Sequence, residues 1–131
     1  MSIFALVHGA WHGPWSWERV VGPLQAHGHE VVLPDLPSED PDLAPDDARS
    51  AAGRLRFQAR RSQTERSPEP PAGLRVESIL GTEDRLVNPD WSRRVARERL
   101  GVEPVELPTG HFPMITHPEL LAERLAQLDA E

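Results

Sequence analysis

The chain has 131 residues, about one domain by the usual ~100–200 residues per domain. Its 14 basic and 21 acidic residues give a formal charge of −7, a poor match to nucleic acid or an anionic membrane. It has no cysteine, which excludes disulfides, thiolate nucleophiles and zinc–thiolate centres.

Ile3 to Val7 is a short apolar run, suited to a strand buried on both faces. It stops at His8-Gly9. Pro14 then precedes Trp15, Trp17, Val20, Val21 and Leu24, spaced for one face of a helix. Gly28 is placed to end that helix. Glu30 to Leu33 reads as a second strand, closed by Pro34-Asp35-Leu36-Pro37. The result is a strand–helix–strand unit.

The charge is unevenly spread. Residues 1–47 carry −7, residues 48–75 carry +5 and residues 76–131 carry −5. All 14 basic residues are arginine. The middle block is polar, basic and ends in a Pro/Gly cluster, like a linker or a weak polar helix. Between Asp35 and Leu74 one crossover helix fits, over Ala44 to Gln63.

Beyond the block the alternation resumes. Leu74 to Leu80 is expected as a strand ending in Gly81-Thr82-Glu83-Asp84. Pro89 opens a helix to about Leu100, with Gly101 at its end. Pro104 to Leu107 is a short strand, and Thr109 to Pro113 a loop. Pro118 starts a last helix with Leu120, Leu121, Leu125 and Leu128 as its apolar stripe. Such alternation predicts an α/β fold: a parallel sheet of about four strands with helices on both faces, three layers in all.

Two runs carry a family resemblance. FALVHGAWHGPWSWERVVGPLQAHGHEVVLPDLP resembles the opening of α/β-hydrolases, closest to the small esterase and hydroxynitrile-lyase-like branch. ILGTEDRLVNPDWSRRVARERLGVEPVELPTGHFPMITHPELLAERLAQL resembles the end of the same fold. Together they cover about 85 residues in the family's order. The resemblance implies one reduced domain over residues 1–131 and a strand order 2-1-3-4.

It also implies roles. His8-Gly9-Ala10-Trp11 matches the loop that supplies a backbone N–H to the oxyanion hole, from Ala10. Read by itself, that loop is equally a tight strand–helix turn followed by aromatic packing. Asp84 matches the family's acid and His111 its general base, 27 positions apart. Alone, Asp84 reads as a turn former and His111 as an ordinary loop histidine.

The family's third member is missing. Its nucleophile sits on a Gly-x-Ser-x-Gly elbow between strand and helix, expected between Asp35 and Asp84. Ser38, Ser50, Ser62, Ser67 and Thr64 all lack that setting. Ser16 precedes the acid on the first helix and lacks the elbow too. Residues 48–75 stand where elbow and cap belong. The sequence therefore predicts an esterase-like hydrolase with little or no activity on a small ester. A binding module that self-associates through an exposed sheet edge is the alternative, and a hydroxynitrile-lyase-type enzyme is a third. No cofactor and no metal is expected, since the glycines are scattered singly and no histidine pair has convincing metal-ligand spacing. No run reaches the ~18 apolar residues of a membrane span, and Met1 to Ala10 lacks a basic leader, so a cytoplasmic location is expected.

Overall fold

In the computed structural model, residues 1–9, 12–34 and 73–130 are described. The predicted helix Ala44–Gln63 and the candidate serines Ser38, Ser50, Ser62 and Ser67 lie outside them, as does Thr64. The chain divides into two compact units: Met1–Arg66 with Glu119–Glu131, and Ser67–Pro118.

The first unit opens with strand β1, Ile3–Ala5. A 3₁₀ turn, Pro14–Trp17, leads into helix α1, Glu18–Ala26. Strand β2, Glu30–Val32, follows. β2 lies parallel to β1, with Ile3, Phe4 and Ala5 opposite Glu30, Val31 and Val32. Two further bonds extend the ladder, Glu30 N–H to Ser2 O at 2.9 Å and Leu6 N–H to Val32 O at 3.0 Å.

The predicted helix face is the buried one. Val20 and Leu24, one turn apart, are fully covered. The helix ends where Gly28 was expected to end it, at φ 83. The Gly28 amide donates to Gln25 O at 2.9 Å and the His29 amide to Leu24 O at 3.2 Å. These are the two bonds of a Schellman closure, which occupies carbonyls the helix leaves open.

The first strand departs from expectation. It is three residues long, and Ile3 is 66% and Val7 55% exposed. A strand in a single parallel pair alternates its side chains between two faces. Phe4 faces inward, its ring edge-on to His29 at 5.1 Å, while Ile3 and Ala5 face outward. His29 is thus part of the strand packing: its Nδ1 lies 3.4 Å from the Ser2 amide and 3.9 Å from an Asp129 carboxylate oxygen. Ser2 Oγ donates to the same Asp129 at 2.6 Å. These contacts tie the first strand to helix α4, Pro118–Ala130, whose Leu121 and Ala122 are buried.

The second unit holds strand β3, Ile79–Gly81, and strand β4, Val105–Leu107, again parallel. β3 begins later than Leu74, which is 62% exposed. Between them runs helix α2, Pro89–Val95, continued by a wider π-type turn, Ala96–Leu100. Asn88 caps α2, its side-chain oxygen accepting from the Asp90 amide at 2.8 Å. Gly101, at φ 70, ends the π-type turn as the pattern predicted. Arg93 grips Glu106 through two nitrogens at 2.7 Å each, joining α2 to β4. A one-turn helix α3, Pro113–Thr116, was not expected. Leu80, Ala96, Leu107 and Thr109 are buried in this unit.

The described strands thus form two parallel pairs, β1-β2 and β3-β4. Both adjacencies belong to the expected order. Among the described residues, no helix is long and apolar enough to cross a membrane.

Candidate acid–histidine site

The site grows from the C-terminal end of β3, where open α/β sheets place functional groups. After Gly81 the chain turns through Thr82 and Glu83 to Asp84, whose amide donates to Gly81 O at 3.4 Å. Beyond β4 the chain returns through Thr109 and Gly110 to His111. Asp84 and His111 meet: Nδ1 lies 2.7 Å from Oδ2. A carboxylate has no hydrogen to give, so the imidazole Nδ1–H donates.

The two carboxylate oxygens have separate partners. Oδ2 takes His111. Oδ1 accepts from the Leu86 amide at 2.8 Å and the Val87 amide at 2.9 Å. Asp84 is therefore both the turn former and the partner of an imidazole. Its side chain is 11% exposed and that of His111 37%. Burial pushes the Asp84 carboxyl up, but the Val87 amide, His111 and the Leu86 amide together outweigh it. The net result holds Asp84 below its ordinary value, ionised at neutral pH.

This arrangement fixes the histidine chemically. With Nδ1–H bonded to Asp84, the Nε2 lone pair is the ring's base. An adjacent carboxylate also stabilises the imidazolium that forms on proton uptake. Phe112 packs edge-on to the His111 ring, centroids 4.7 Å apart.

The other expected site residues fall in the first unit. His8 Nδ1 lies 3.0 Å from Gly9 O, and the His12 amide donates to that carbonyl at 3.3 Å. Ala10 and Trp11 lie outside the described residues. Gly9 needs no special backbone: its φ is not positive, and an added Cβ would meet nothing within 4 Å. Ser16 is 3% exposed and its hydroxyl donates to Gly13 O at 2.9 Å, a structural use. Trp15 and Trp17 are half-buried. No group of three or more His, Asp or Glu among the described residues could hold a metal ion.

Sequence reasoning overlooked Gly81 and Thr109. Thr109 is fully buried, and its carbonyl accepts from the Glu83 amide at 3.0 Å. Only the glycine before Thr-Glu-Asp hinted at a close approach, and it was read as part of a turn.

Comparison with known proteins agrees with this architecture. Residues 4–63 match the profile described as the Alpha/beta hydrolase family. The structure is similar to that of a pyrethroid hydrolase, PytH, with a TM-score of 0.63. That alignment covers 99% of this chain and 97% of the other, at 16% identity. Over residues 4–63 the chain is similar to the α/β-hydrolase family, and it shares the fold of that hydrolase.

Several of the proteins it resembles are named as esterases. Salicylic acid-binding protein 2 of Nicotiana tabacum is 50% identical over 40 residues, covering 30% of this chain and 15% of that protein. A carbendazim hydrolyzing esterase of Nocardioides sp. (strain SG-4G) is 47% identical over 34 residues, 26% of this chain and 14% of that one. Methylesterase 3 of Arabidopsis thaliana is 47% identical over 38 residues, 29% and 14% respectively. The matched stretch thus spans about a seventh of these relatives' length.

Proposed function

We propose that this chain derives from an esterase that acts on small-molecule esters, with Asp84 and His111 as its acid and general base. The carrying observation is the 2.7 Å bond between Nδ1 and Oδ2. In that reading His111 Nε2 removes a proton from an attacking hydroxyl, and Asp84 stabilises the resulting imidazolium. The loop His8-Gly9-Ala10-Trp11 supplies an oxyanion N–H, from Ala10. One domain spans residues 1–131, its strands in the order 2-1-3-4.

The nucleophile elbow is absent from this sequence, and residues 48–75 stand in its place. Little or no hydrolysis follows, because losing the nucleophile from such a triad costs about 10⁶-fold in turnover. The test is labelling of the purified chain with a fluorophosphonate probe. No stoichiometric label is expected; one serine labelled in full would overturn the proposal. Hydrolysis of short-chain aryl esters, compared with a His111→Gln variant, is expected to show no difference above background.

A further inference from the structure

We propose that the Gly81–Thr82 end of β3 is a positioning element for His111: the bare Cα of Gly81 seats the histidine loop, and Thr82 ties it down. The inference rests on the reading of Asp84 and His111 as a working pair.

The seat is a matter of space. A Cβ added to Gly81 would overlap the carbonyl oxygen of Thr109 and lie 2.6 Å from that of Gly110. At Gly9, Gly22 and Gly110 the same added atom would meet nothing within 4 Å. Gly28, Gly73 and Gly101 are explained by positive φ instead. Gly81 has no positive φ, so its backbone conformation is open to any residue. What requires glycine is the loop lying on it.

The ties are short and local. The Thr82 amide donates to Leu107 O at 2.8 Å, and its hydroxyl to the same oxygen at 3.2 Å. The Glu83 amide donates to Thr109 O at 3.0 Å. The Thr109 amide turns back to Leu107 O at 2.8 Å. The acid turn and the histidine loop are thereby laced together one residue before Asp84 and two before His111. Thr109 is fully buried, so the loop cannot make room by a side-chain movement alone. A side chain at position 81 pushes backbone, and His111 is the next residue but one after the displaced Thr109 carbonyl. A shift of about 1 Å there is enough to lose a 2.7 Å hydrogen bond.

The test reads the His111 tautomer in the full chain by a long-range proton–nitrogen correlation spectrum, at a pH where the ring is neutral. The native chain is expected to show the Nδ1–H form, as the bond to Asp84 demands. Gly110→Ala, in the same loop but facing open space, is expected to keep it. Gly81→Ala is expected to lose it, reverting to the Nε2–H form that dominates in free histidine, while backbone resonances of α2 stay put. Thr82→Val removes one tie without adding bulk, and is expected to give a mixture of the two forms. It decides the matter should Gly81→Ala fail to fold. Retention of the Nδ1–H form in a folded Gly81→Ala chain, or an unchanged Thr82→Val spectrum, overturns the inference. A native chain without the Nδ1–H form would instead defeat the acid–histidine pair itself, and hydrolysis is read in a separate assay.

Discussion

Asp84 concentrates most of what is chemically distinctive here into two oxygens. One organises the loop through the Leu86 and Val87 amides, and the other holds His111. Its carboxyl is held below the ordinary carboxylate value. The stability this contributes is present above the unfolded value of about 3.9 and is lost as pH falls through the lower folded value. The urea midpoint of the native chain is therefore expected to fall on acidification below about pH 4, and that of Asp84→Asn to fall less. Equal acid sensitivity in the two proteins would contradict this assignment. In the first unit Leu24 is fully buried, and Leu24→Ala is expected to cost about 2–5 kcal/mol in the same measurement. The pair was legible in the sequence because family order linked residues 27 positions apart. The Gly81 seat was not, because close backbone approach leaves no composition signal.

The helices ended where their glycines stood. Gly28 sits at φ 83, a region that costs an L-residue about 1–2 kcal/mol, so Gly28→Ala is expected to destabilise by that amount in denaturant titration. Removing the α2 cap with Asn88→Ala is expected to cost about 1 kcal/mol, since it strips the acceptor from the Asp90 amide. Strands were harder to read. Ile3 to Val7 and Leu74 to Leu80 are apolar enough for long strands, yet pairing lasts three residues in each. Apolar content reports what a segment would bury, whereas ladder length depends on a partner the local sequence does not specify. Helix α3 was missed because one turn, begun by a proline inside a loop, carries no periodic stripe.

For the molecule as a whole, the family likeness covers residues 4–63, and the parallel strand pairs were foreshadowed by the alternation of elements. The basic stretch at 48–75 carries a charge of +5 between acidic flanks, and the proposed reading puts it in place of the nucleophile elbow. If the elbow was lost by a reading-frame change, the nucleotide sequence across those codons is expected to encode Gly-x-Ser-x-Gly in another frame. Absence of that motif from all frames would point to a deletion instead. Substrate choice was never legible, because the residues expected to line a pocket belong largely to the segment that differs.

The ties that seat His111 have one more implication. Every bond that brings it to Asp84 lies inside Ser67–Pro118, and most are main-chain bonds. Such a pair needs no substrate and no nucleophile to persist. The orientation of the His111 ring is therefore set by the fold of that unit before any other group meets it.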